Sequence, residues 1–245
     1  MHRRGFLIGA ATLALGACSG GSGGSSGGAS EPSPVQVLAA AHDKLVAAKG
    51  LTLALTSTGV PPKVNGVTAA AGKGVVDATT PKFSGTVTGT VKGVSGTLTL
   101  IAIGDKAWMK FFTPDFTPAD LKALGAPNPA ALLNATSGIP SLLTATDKPT
   151  KGAEQRRGSE IVQTYSGTLP GAPVRTLLGL DPADSGFRVS YGVTSGGELR
   201  AVDITGAFYA GAQSTYTLVL TDYGASVDIT APHTAPTRPW RVALT

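Results

Sequence analysis

The sequence predicts an α+β domain in which one antiparallel sheet curls around a few short helices. Three observations predict it. Strand-like alternation occurs on both sides of a Leu-rich centre, so the order is strands, helices, strands. Neighbouring strands are linked by short turn signals, Lys92-Gly93, Gly104-Asp105 and Ser195-Gly196-Gly197, which imply antiparallel pairing with one wet face. No shift in composition splits residues 35–230, and 245 residues fit one domain or at most two small ones.

Ser33 and Pro34 open a helix as N-cap and first helical residue. Val35, Leu38, Ala41, Leu45 and Ala48 recur at helical spacing, and Gly50 closes it. Strands are then predicted at Leu51–Ser57, Gly74–Ala78, Lys82–Val91, Ser95–Ile103 and Lys106–Phe112. On the third, Phe83, Gly85, Val87, Gly89 and Val91 share one face and a run of Ser and Thr shares the other. In the centre, Thr117-Pro118 caps a short helix ending at Gly125, Asn128-Pro129 caps another over Ala130–Asn134, and Ile139–Ala145 forms a third. Strands resume at Glu160–Leu169. A helical link, Val174–Leu178, follows Pro173. Phe187–Thr194, Glu198–Phe208 and Ser214–Asp222 are further strands, and Ala225–Thr230 ends the sheet. Residues 233–245 read as a flexible tail.

Composition excludes several classes. The chain is 42% hydrophobic and 14% charged, which is globular rather than disordered. Its single Cys excludes an internal disulfide framework and a multi-Cys zinc site. The formal charge is +5, yet beyond Arg3-Arg4 only Arg156-Arg157 sit side by side. Nucleic-acid binding needs a dense basic stripe with interleaved aromatics, so no nucleic-acid partner is expected. Aromatics make up only 6%. Small aliphatic residues must therefore fill the centre, or the centre is not filled.

The N-terminus reads as an export signal. Arg3 and Arg4 precede an apolar run from Phe6 to Ala17, too short to span a membrane. It ends in Leu15-Gly16-Ala17-Cys18, a bacterial lipobox, so Cys18 is the expected lipidation site and residues 1–17 the signal peptide. Arg3-Arg4-Gly5-Phe6-Leu7 also resembles the twin-arginine motif, leaving the export route open. Residues 18–34 form a lipidated Gly/Ser-rich tether, whose last sixteen residues span roughly 20–24 Å. Gly20-Gly21-Ser22-Gly23-Gly24 matches a serine-hydrolase motif formally, but a nucleophile elbow needs a strand before it and a helix after it. The expected location is the extracytoplasmic face of the cell membrane.

The rest of the chain is poor in chemistry. His42 and His233 are far apart, without a Cys or carboxylate at ligand spacing, which argues against a triad or a zinc site. Asp181 and Asp184 more readily cap a turn than form a catalytic pair. Asn134-Ala135-Thr136 is a formal sequon, which a bacterial lipobox makes moot. No P-loop or dinucleotide fingerprint occurs, and no cofactor or metal is expected. What remains is apolar. Small residues on a concave sheet face leave space beneath, and the helices either close onto the sheet or a dry cavity stays open.

Several segments resemble the LppX/LprA/LprF/LprG family of actinobacterial lipoproteins over about residues 35–232. They are Gly85-Thr86-Val87, Ile103-Gly104-Asp105-Lys106-Ala107-Trp108, Asn128-Pro129-Ala130-Ala131-Leu132-Leu133, Leu142-Leu143 with Lys151-Gly152, and Leu220-Thr221-Asp222-Tyr223-Gly224-Ala225-Ser226-Val227. Gly125-Ala126-Pro127-Asn128-Pro129 departs from the Tyr-Asp-Pro-like stretch that often precedes the family's central helices. The resemblance implies a half-barrel sheet packed on helices with a hydrophobic cavity between, similar to the LolA-type periplasmic lipoprotein carriers. It further implies a monomer, not an enzyme, that binds long-chain acylated lipids or glycolipids and helps move them across the envelope. A transporter of the major-facilitator type is implied as partner for the LprG branch.

The candidate lipid-binding residues are Phe83, Val87, Val91, Leu98, Leu100, Trp108, Met109, Leu132, Leu133, Leu142 and Leu143, with about half expected to touch a cavity. Val87 leads, because the matched strand position faces the pocket in the family. Lys151, Arg156 and Arg157 are read first as a solvated charged loop and second as contacts for an anionic headgroup. Two other classes stay open. One is a surface scaffold or adhesin with a solid core, which would carry no stoichiometric lipid. The other is a secreted hydrolase, which an ester and glycoside screen would reveal.

Overall fold

Ser33 starts the folded unit in the computed structural model, which describes residues 31–112, 114–178 and 186–233. Cys18, the export signal, Asp181, Asp184 and residues 234–245 lie outside the described residues. The described strands and helices all belong to one compact unit that begins at Pro32. Its first helix, α1 (Pro34–Ala47), opens with a reciprocal capping box. The Ser33 Oγ accepts from Gln36 N–H at 3.3 Å, and the Gln36 Oε1 accepts from Ser33 N–H at 2.9 Å. Leu38, Ala41 and Leu45 are buried, as the helical spacing predicts.

Five strands follow: β1 (Gly50–Thr58), β2 (Gly66–Val75), β3 (Lys82–Val91), β4 (Val94–Ile103) and β5 (Lys106–Lys110). A short β6 (Thr117–Ala119) leads into α2 (Leu121–Leu124). A 3-10 helix (Pro129–Leu133) and α3 (Ile139–Ala145) form the centre. Then come β7 (Asp147–Arg157), β8 (Glu160–Leu169), α4 (Gly171–Leu178), β9 (Phe187–Thr194), β10 (Leu199–Tyr209) and β11 (Ala212–Thr221). One open sheet of eleven strands results, ordered β6-β5-β4-β3-β2-β1-β11-β10-β9-β8-β7. All neighbours pair antiparallel. The first and last strands meet in the middle, so two meanders run outward from one seam to free edges. This is the expected curved, unclosed sheet over helices.

Four local expectations need correction. β2 begins eight residues before its predicted start at Gly74, and Ala69-Ala70-Ala71-Gly72 lies within it. Ala and Gly carry little strand preference, and pairing with β1 and β3 supplies what propensity does not. Residues 147–157 are an edge strand rather than a loop, almost wholly exposed and therefore without apolar alternation. Thr117-Pro118 forms strand β6 instead of a cap. The cap of α2 is Asp120, whose carboxylate accepts from Ala123 N–H at 2.9 Å. Ala225–Thr230 is irregular. It folds over one end of the sheet, where Gly224 N–H reaches Gly50 O at 2.9 Å and Ile229 is buried.

The two halves of the sheet are covered differently. Beneath β8–β11, the buried Phe187, Val189, Tyr191, Leu218 and Leu220 join Leu38, Leu45 and Leu142 of α1 and α3 in a continuous core. The Tyr191 hydroxyl donates to Leu142 O at 3.0 Å, and its burial there raises its pKa. Phe187 and Phe208 stack at 4.6 Å, and Phe208 meets Tyr216 edge-on at 4.8 Å. Beneath β2–β5 lie α2, the 3-10 helix and the end of α4 at Leu178, and there the core thins into a cavity.

Candidate functional site

Antiparallel register stacks the inward side chains of β2–β5 in rows. Phe83 stands opposite Ala102, and Ala102 opposite Ala107. The next row holds Gly72, Gly85, Leu100 and Met109, and the row above holds Ala70, Val87 and Leu98. Gly89 faces Gly96, and Val91 faces Val94 beside the Lys92-Gly93 turn. Both turn residues have positive φ, 50° and 80°, as a two-residue hairpin demands. Rows are about 7 Å apart along a strand, so depth follows from register.

The lowest row is filled. Phe83 is fully buried, and the 3-10 helix packs on the same rows with Ala130 and Leu133. Leu133 lies so close to Gly74 that a Cβ there would fall 2.0 Å from its methyl. Two carbonyl-like side chains lock this floor. Asn134 donates to Ala78 O at 3.0 Å while its Oδ1 accepts from Thr136 and Ser137 N–H groups, so the formal sequon is a turn device. Asp77 accepts from Thr80 and Thr79 N–H groups at 2.7 and 2.8 Å, and these bonds hold its carboxyl below the ordinary value of 3.8.

Above the floor lies a cavity of about 330 Å³, within the range of small-molecule sites. Val87, Val91, Leu98, Leu100, Met109 and Leu132 line it, together with Leu55, Val67, Phe111, Leu121 and Leu124. Its wall is almost wholly apolar, and its few polar groups are already engaged. Asn128 donates to Gly104 O at 2.8 Å and accepts from Ala130 N–H at 3.0 Å. Asn65 accepts from Lys92 N–H at 2.7 Å. The Tyr216 hydroxyl pairs with Tyr209 at 2.6 Å, and burial pushes its pKa up, so it stays neutral. No group of three or more His, Cys, Asp or Glu able to hold a metal occurs among the described residues.

Five of the eleven candidates do not line this cavity. Phe83 sits below it and Leu133 in the floor. Leu142 and Leu143 belong to α3, which packs against α1 in the solid half. Trp108 is out of phase. Ala107 and Met109 point inward, so Trp108 between them does not line this cavity; it borders a second, more polar groove together with Ala107, Leu121 and Lys122. The charged candidates also move. Arg156 and Lys151 are exposed on strand β7, and Arg157 pairs with Asp203 of β10 across the outer surface. Sequence reasoning missed Asn65, Gly66 and Val67, because the start of β2 was not recognised. The helix ending at Gly125 was expected, but its Leu121 and Leu124, which line the cavity, were not among the candidates.

The arrangement defines a class: an open antiparallel sheet curled over helices, with an apolar cavity under one half. Residues 33–229 match the LppX_LprAFG lipoprotein family, and the chain belongs to that family. Among solved structures, LprF from Mycobacterium bovis superposes with a TM-score of 0.67 at 12% identity, over 81% of this chain and 96% of that one. LppX from Mycobacterium tuberculosis superposes with a TM-score of 0.59 at 16% identity, over 80% and 98%. At such identities the likeness is one of fold. No curated protein sequence matches the chain.

Proposed function

We propose that this chain is a membrane-anchored envelope lipoprotein that takes the acyl part of a lipid or glycolipid into its cavity and helps carry it across the envelope. The cavity under β2–β5 carries the reading. Its apolar wall offers water few partners, so leaving the space of about 330 Å³ without an apolar occupant is unfavourable. An apolar occupant removes that cost. The same occupant gains too, since each buried methylene is worth about 0.8 kcal/mol and a 16-carbon chain on the order of 12 kcal/mol. A carrier of this kind needs no cofactor and no catalytic residue. Family membership supports the reading, as do the lipobox at Cys18 and the tether after it. No helix among the described residues is long and apolar enough to cross a membrane. The lipobox makes Cys18 the proposed anchor. A transporter partner of the major-facilitator type and a monomeric state belong to the same proposal.

Val87→Trp tests it. Val87 lies between Ala70 and Leu98, and both neighbours line the cavity. An indole there fills the space from the sheet side without breaking the ladder. A fluorescent fatty acid should bind the variant at least tenfold more weakly than the parent, with circular dichroism unchanged. Equal affinity in a folded variant contradicts the assignment.

A further inference from the structure

At one end of the sheet the cavity wall reaches the β3–β4 turn (Val91, Val94), the β1–β2 loop (Asn65) and the residue after β5 (Phe111), and this rim carries uncovered apolar side chains. Phe112 is 94% exposed and Val94 is 61% exposed. Both are continuous with the cavity wall: Val94 lines it, and Phe112 stacks at 4.1 Å on Phe111, which also lines it. Phe112 has φ 61°, in the left-handed region that a bulky residue rarely occupies. Lys63 at φ 68° and Lys92 at φ 50° share that conformation at the same end, and Lys92 is tied to the loop of Lys63 through Asn65. The cations outnumber the anions here. Lys63 and Lys92 are exposed, and Lys110 holds its ammonium 4.4 Å from the Phe116 ring. Of the nearby carboxylates, Asp120 caps α2 and Asp115 has a partner within the protein.

We infer that this rim docks on an anionic membrane surface, with Phe112 and Val94 entering the headgroup layer and Lys63 and Lys92 meeting lipid phosphates. Exposed aromatic and aliphatic tips flanked by lysine are the composition of an interfacial contact. Docked so, the rim faces the bilayer and an acyl chain passes into the cavity without crossing water. The purpose of the dock rests on the lipid-carrier reading, but the dock itself is measured separately.

The test uses the chain from Pro32 onward, which holds every described strand and helix and lacks the acyl anchor. It is sedimented with vesicles of phosphatidylcholine alone and of an equal mixture with phosphatidylglycerol. The parent should bind the mixed vesicles and bind the neutral ones far less. Phe112→Asn should lower mixed-vesicle binding at least tenfold, and Asn suits a positive φ, so the variant keeps its fold. Lys63→Gln with Lys92→Gln should abolish the difference between the two vesicles. All three substitutions should leave binding of a soluble fluorescent fatty acid, measured without vesicles, unchanged. A parent that ignores both vesicles, or a Phe112→Asn variant that binds like the parent, overturns the dock. Absence of fatty-acid binding in the parent instead overturns the carrier reading, whatever the vesicles show.

Discussion

Phe83 and Val87 lie on one face of one strand, yet one is sealed in core and the other lines a cavity. Alternation revealed their common face. It did not reveal depth, which depends on what packs beneath each row. Trp108 shows the opposite failure, since a one-residue phase error sends a side chain through the sheet. Gly72 and Gly85 correct a further expectation. Their absent side chains do not widen the cavity: a Cβ on Gly85 would meet Ala71 O at 2.1 Å, so the backbones simply approach there too closely for any other residue. Asp77 yields a prediction at this scale. Its pKa is lowered in the folded state, so its contribution is present above 3.8 and is lost as pH falls through the folded value. Asp77→Asn keeps the shape but loses the charge facing two N–H groups. Urea midpoints should show the variant less stable at pH 7, with the gap closing towards pH 3. An equal gap at both pH values contradicts this.

Among the elements, those that read clearly in the sequence were the half-buried strands and the capped α1. β2 and β7 did not, for different reasons. β2 is built from Ala and Gly, whose strand conformation comes from its neighbours. β7 is an exposed edge, where no burial imposes a pattern. The tip of the β7–β8 hairpin is instead held by charge. Arg200 of β10 is buried, donates to Leu220 O at 2.8 Å, and pairs with Glu198 at 2.9 Å and with Glu160 of β8. Tyr223 covers it, ring centroid 5.8 Å from the guanidinium, and donates to Leu199 O at 2.6 Å. Arg200→Leu should destabilise the domain by about 2 kcal/mol, below the 3–5 of a fully buried pair because both glutamates are partly solvated. Chemical denaturation measures this, and a change under about 0.5 kcal/mol, typical of surface substitutions, would contradict the role.

At the scale of the molecule, the scarcity of aromatics has a place. Phe187, Tyr191 and Phe208 are grouped under β9 and β10, where the core is solid, and Tyr216 of β11 stands at the border and also lines the cavity. Under β2–β5 the rings are Phe83 in the floor and Phe111 at the rim, and the cavity wall between them is mostly Val, Leu, Met and Gly. Composition announced that large rings were few, but only the fold shows that they are unevenly placed. The seam of β1 and β11 joins the two halves, and sequence order hides it because the paired strands are the first and the last. The family resemblance carried the architecture, and the rows of β3 and β4 carried the position of the cavity. The central claim is that the cavity holds an acyl chain. The direct measurement is mass spectrometry of an organic extract from the purified domain expressed without its acyl anchor. The account predicts a long-chain lipid in stoichiometric amount, greatly reduced in Val87→Trp. A folded domain that carries no lipid, or a Val87→Trp variant that carries as much as the parent, would contradict it.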